Sequence, residues 1–147
     1  MIHVSEFWTS KYGQAALDGI QSRGSQYWAN NIYRYYKQDT GKLGQACDIT
    51  VEDGIVIIGM KPIYGIQRDG TIHEYGQDIM NGIRPGPGKY NPVRGVRIKT
   101  GYYPGVSVTK FWEPWLAEFE PAMLEIVREE VSSNLRDFIT EQFKQGA

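Results

Sequence analysis

Apolar residues recur at spacings of three and four between Ser10 and Lys37, through Leu17, Ile20, Gly24, Tyr27 or Trp28, Asn31 or Ile32, and Tyr35. That period predicts one amphipathic helix over about 10–37, with Ser10 as its N-cap. Gly13, Gly19 and Gly24 interrupt it, each costing about 1 kcal/mol relative to Ala in a helix interior. Fraying is expected before Gly19, and close packing on another backbone at Gly24. The period then changes to two. Residues 45–52 and 55–60 flank Asp53-Gly54, a two-residue hairpin signal that pairs Glu52 with Ile55. Cys47, Ile49 and Val51 then share a face with Met60, Ile58 and Val56, the apolar face a helix should cover. Thr50, Glu52, Ile55 and Ile57 fall on the opposite, half-polar face. A last helix is expected over about 121–143. Pro121 suits its first turn, and Leu124, Val127, Val131, Leu135, Phe138 and Gln142 form its stripe. Before it, Trp112 to Glu118 reads as a short lead-in turn. Glu118, Glu120 and Glu125 would then lie near a positive helix end.

Between hairpin and last helix the pattern is irregular. Asp69-Gly70 could close a second hairpin, whereas Ile72-His73-Glu74-Tyr75-Gly76 also fits a short helical connection, and the letters allow both. Gly82 to Gly88 is too rich in Gly and Pro for regular structure. No acid lies between Asp78 and Glu113, while Arg84, Lys89, Arg94, Arg97, Lys99 and Lys110 are all cationic. Val96 to Thr100 and Val106 to Val108 alternate around Gly101-Tyr102-Tyr103-Pro104-Gly105. This reads as a basic, tyrosine-tipped β-arm within a long loop over about 77–110, and loops of that length are usually functional. The fold class expected is α+β in one domain over 1–147: long N- and C-terminal helices on a small antiparallel sheet, with the basic arm inserted.

Composition narrows the chemistry. At 147 residues and net charge −1, the chain has room for one real core and no general polyanion character. Its single cysteine, Cys47, excludes an intramolecular disulfide and is simplest as a small core residue. The N-terminal residues lack a basic region followed by an apolar run, so no signal peptide is expected, and no stretch is long enough for a membrane span. Ten Tyr and four Trp exceed the needs of a small core and point toward protein interfaces. His73-Glu74 is the one adjacent imidazole–carboxylate pair, and His3 the only other histidine. No paired His or Cys ligand motif, phosphate-binding Gly-rich loop or nucleophile elbow is present. Catalysis, a cofactor and a metal site are therefore not expected.

Asp39-Thr40-Gly41-Lys42-Leu43 joins first helix to hairpin, and its turn formers end the one and reverse the chain into the other. Together with Glu74-Tyr75-Gly76 and Phe119-Glu120-Pro121-Ala122, it resembles, in order and spacing, the tail-completion or neck proteins of long-tailed bacteriophages. The resemblance spans almost the whole chain. It departs at Lys37-Gln38, where the family often has proline, and in the length of the 77–110 loop. It implies Asp39, Thr40, Gly41, Leu43, Glu74, Tyr75, Gly76, Phe119, Pro121 and Ala122 as fold-motif residues. It further implies a non-enzymatic virion protein at the head–tail junction, passing through the host cytoplasm during assembly. Its expected partners are itself, as a ring of six, with head-completion and tail-tube or tail-terminator proteins as neighbours, and no membrane. Arg84, Lys89, Tyr90, Arg94, Arg97, Lys99, Tyr102, Tyr103 and Lys110 would be the interface arm. The acidic 118–144 segment, with about four excess negative charges, is one candidate surface for it. A nucleic-acid binder is the rival reading: cations with Tyr90, Tyr102 and Tyr103 suit phosphate contact and base stacking. In a ring, the same arm could face channel DNA.

Overall fold

The computed structural model describes residues 3–36, 41–52, 55–66, 70–82, 86–87, 90–91, 96–97, 102–103 and 107–146. The chain opens with a short helix, α1 (Val4–Thr9), and turns at Ser10 into α2 (Lys11–Asn31). The Ser10 hydroxyl accepts the Gly13 N–H at 3.3 Å, the N-cap expected from sequence. A 3₁₀ turn (Ile32–Arg34) ends the helical run, and a second (Leu43–Gln45) leads into β1 (Cys47–Glu52) and β2 (Ile55–Met60). Then come β3 (Tyr64–Ile66), β4 (Ile72–Glu74) and α3 (Gly76–Asn81). Next are β5 (Gly86–Pro87), β6 (Tyr90–Asn91), β7 (Val96–Arg97) and β8 (Tyr102–Tyr103). A π-helical turn (Val108–Trp112) opens into α4 (Glu113–Gly146). The class is α+β: two long helices over a small antiparallel sheet.

The fraying expected before Gly19 does not occur. A Cβ at Gly13 would lie 2.7 Å from the Trp8 Cα, so glycine permits the α1–α2 corner. Ala16 and Ile20 are fully buried, and a Cβ at Gly19 would lie 2.8 Å from a Glu130 oxygen. Gly24 is the close contact the sequence pointed to: a Cβ there would meet Ile49 Cδ1 and lie 2.7 Å from Met123 Sδ. Glycine thus lets α2 settle onto the sheet and α4 together. Of the alternatives along the stripe, Trp28 and Ile32 are the buried members, and Tyr27 and Asn31 flank them.

β1 and β2 pair from Cys47 opposite Met60 to Glu52 opposite Ile55, the register a two-residue turn dictates. Residues 53–54 themselves lie outside the described residues. The inner face carries Cys47 and Ile49 into the core, with Val56, Ile58 and Met60 packed against it.

The last helix departs from expectation. α4 begins at Glu113, eight residues before Pro121, which lies inside it rather than at its first turn. An interior proline leaves one carbonyl without its helical donor and costs about 3 kcal/mol. The helix continues because Trp115, Phe119, Met123 and Ile126, on both sides of the proline, are buried in one core. Glu118, Glu120 and Glu125 are consequently mid-helix, beyond the reach of the terminal dipole. The buried stripe starts at Trp115, and Leu124, assigned to it from spacing, is 63% exposed.

Candidate functional site: the motif core and the basic arm

Three short motifs, far apart in sequence, meet in one aromatic core. Trp28 is fully buried, and its Nε1–H donates to the Leu43 carbonyl at 2.8 Å. The Gly44 N–H donates to the Tyr33 hydroxyl, also at 2.8 Å. Two aromatic side chains of the first helical run thereby hold the turn after Gly41. Gly41 itself has φ +78°, in the left-handed region that favours glycine. Asp39 and Thr40 lie outside the described residues. Phe119 is fully buried, stacked on Trp115 at 5.0 Å and edge-on to Trp28 at 5.4 Å. Ala122 is half-buried and Pro121 exposed.

Residues 64–76 realise both expected alternatives in succession, a hairpin and then a helix. β3 and β4 pair with Tyr64 opposite Glu74, and α3 starts immediately after Tyr75. Each residue of Glu74-Tyr75-Gly76 has a structural use. The Glu74 carboxylate accepts the N–H groups of Gly76 at 2.8 Å and Ile63 at 3.1 Å, satisfying donors where strand gives way to helix. Tyr75 is buried in the main core, and its N–H donates to the Ile63 carbonyl at 2.9 Å. A Cβ at Gly76 would lie 2.6 Å from the Glu74 carboxylate and 3.1 Å from Met60 Sδ. Glu74 thus serves the backbone at the junction of β4 and α3.

The aromatic excess is spent chiefly inside. Trp28, Trp115, Phe119, Tyr36 and Tyr75 are buried, with Tyr27, Tyr33, Tyr35 and Trp112 packed on the same cluster. Those rings serve the subunit's own core. Burial raises the Tyr36 phenol, and burial followed by the Glu118 charge raises that of Tyr27. Burial pushes the Cys47 thiol up to about 11, which suits a core residue and not a nucleophile.

α4 runs antiparallel to α2, and its acids face cations of α2 and of the 3₁₀ turn after it. Arg23 pairs with Glu129 at 2.6 Å and with Glu130 at 3.3 Å, Arg34 pairs with Glu118, and Lys11 lies 3.9 Å from Glu141. Glu125 pairs with Arg128 within the helix at 3.2 Å. Such exposed pairs contribute at most about 1 kcal/mol each. They nevertheless engage most of the negative charge between Glu118 and Lys144 inside the subunit. As a docking surface for a basic arm, α4 is therefore poorer than its composition suggests.

The arm differs from its expected form. Gly86 pairs with Tyr103 and Pro87 with Tyr102; further along, Tyr90 pairs with Arg97 and Asn91 with Val96. The Gly/Pro stretch thus contributes a strand. Tyr102 and Tyr103 occupy a strand rather than a tip, and the innermost pairing brackets residues 92–95. Val108 belongs to the π-helical turn, not to a strand. Lys110 is exposed. Arg84, Lys89, Arg94 and Lys99 lie outside the described residues.

Among the described residues, no group of three or more His, Cys, Asp or Glu could hold a metal ion, and no helix is long and apolar enough to cross a membrane. No family model, curated protein or solved structure matches the chain.

Proposed function

We propose that this protein is a structural virion component of a long-tailed bacteriophage, forming a ring, of six subunits by resemblance, at the head–tail junction. One observation carries most weight. Leu43, Tyr75 and Phe119, one from each motif on which the resemblance rests, are buried in a single core with Trp28. Motif residues that act by shaping a scaffold fit a protein whose work is to present surfaces to neighbours. The ring would pack head to tail, with unlike surfaces of adjacent subunits meeting. Head-completion and tail-tube or tail-terminator proteins would lie above and below it.

Native mass spectrometry and negative-stain imaging of the purified chain test this reading. A closed oligomer with a central channel is the expected result, and a chain that remains monomeric at all concentrations and in the presence of phage tails overturns it. A gene lying between those for capsid and tail tube would support the same conclusion. Nucleic-acid binding is the second reading, favoured by the six cations and absence of acids over residues 79–112. It requires DNA affinity that falls steeply with salt and is independent of ring formation.

A further inference from the structure

The outer face of the β1–β2 hairpin is exposed, with no described element laid over it, and chemically two-sided. Asp48, Thr50 and Glu52 stand on β1, opposite Gly59, Ile57 and Ile55 on β2. Ile55 is 64% exposed and Ile57 44%. A Cβ at Gly59 would have no neighbour nearer than 3.9 Å, so the strip is shallowest opposite Asp48. Asp48 and Glu52 are exposed and have no ion-pair partner among the described residues, unlike most of the acids on α4. The face is therefore a row of uncommitted carboxylates beside a row of β-branched apolar side chains. Residues 84–110 of the same chain carry the complementary chemistry: six cations, no acid, and Val96-Arg97-Ile98-Lys99 in alternation.

We propose that this outer face receives the basic arm of a second copy of the chain, with Asp48 and Glu52 opposing arm cations and Ile55 and Ile57 covering its apolar residues. The contact is heterologous, hairpin of one subunit to arm of the next, and such contacts generate rings when the rotation closes. It rests on the ring reading above and names the surface through which the ring forms. Opposed charges would set the register and hasten encounter, while the isoleucines supply the buried apolar area.

A charge exchange between two variants tests it, read by sedimentation velocity on the full chain. Asp48→Lys/Glu52→Lys and, separately, Arg97→Glu/Lys99→Glu should each weaken self-association at least about 10-fold, because like charges then meet at every interface. An equimolar mixture of the two should restore assembly, since alternating subunits again oppose unlike charges. A variant that had merely misfolded could not be restored by mixing. Asp48→Asn/Glu52→Gln, milder in charge and shape, should give a smaller loss. Wild-type assembly in either reversed variant, or no recovery on mixing, overturns the arm-to-hairpin contact and leaves the ring standing. If reversing the arm abolishes DNA binding while assembly persists, the arm serves nucleic acid and the proposal fails. A wild-type chain that is monomeric throughout removes the ring reading itself.

Discussion

The two faces of the β1–β2 hairpin come from the same twelve residues and the same backbone ladder, yet they have opposite fates. The inner face meets α2 where Gly24 brings the helix close, and Cys47 and Ile49 are buried there to about 5% exposure. The Gln21 side chain also reaches the Ile49 carbonyl, donating at 3.1 Å. The outer face has comparable apolar content on β2 but, among the described residues, no element above it. Strand periodicity assigns residues to faces, whereas burial depends on what else the chain lays over them. An uncovered face retaining Ile55 and Ile57 is the kind of surface that association, rather than folding, completes.

Substitutions on the two faces should separate stability from assembly. The largest effect is expected at Ile49→Ala, which removes a buried side chain under α2 and should cost about 2–5 kcal/mol in denaturant unfolding. A cost near that of a surface change would show that the inner face is not the core. Ile58→Ala, on the same face but half-buried, should cost less than Ile49→Ala in the same assay. Gly24→Val would set its methyl groups against Ile49 and Met123, and overpacking of this kind costs about 1–3 kcal/mol. Unchanged unfolding would mean that helix and sheet do not approach as closely as the structure has them.

Gly41→Val places a β-branched residue at φ +78° and should cost about 1–2 kcal/mol, measured as a fall in Tm. A Val variant that melts like the parent would reduce the turn to an ordinary loop. A pH effect should be smaller still near neutrality. The Cys47 thiol is raised by burial from its ordinary value of about 9 to about 11, so above pH 9 the unfolded chain releases this proton before the folded one does. The unfolded state then binds fewer protons, and the stability contributed by Cys47 is complete below pH 9 and lost as pH rises through about 11. Cys47→Ala should lessen that alkaline decline; an equal decline in both proteins would assign it to other groups, Tyr36 among them. The smallest stability effect belongs to the outer face. Ile57→Thr should change unfolding by about 0.5 kcal/mol or less, while weakening self-association measurably. A large loss of stability would place Ile57 in the subunit's own core.

What the sequence determined by itself was the local structure set by short-range chemistry. Ser10 caps a helix because its hydroxyl reaches an amide three residues away. The hairpin register follows from a two-residue turn, which leaves the strands no freedom to slip. The α+β class and the membership of the inner face followed from periodicity. Tertiary structure alone decided the rest, because those outcomes depend on partners distant in sequence. Pro121 carries a helix-start signal, yet Trp115 and Phe119 before it and Met123 and Ile126 after it find one core against α2, and that burial outweighs the lost hydrogen bond. Gly13 looks like a weak point in isolation and proves to be where α1 turns onto α2. The acids of α4 give a negative surface on paper, but Arg23, Arg34 and Lys11, more than eighty residues away in the chain, neutralise much of it. Asp48 and Glu52 meet no such cation among the described residues, so the hairpin's outer face keeps negative charge that no count along the sequence would have placed there.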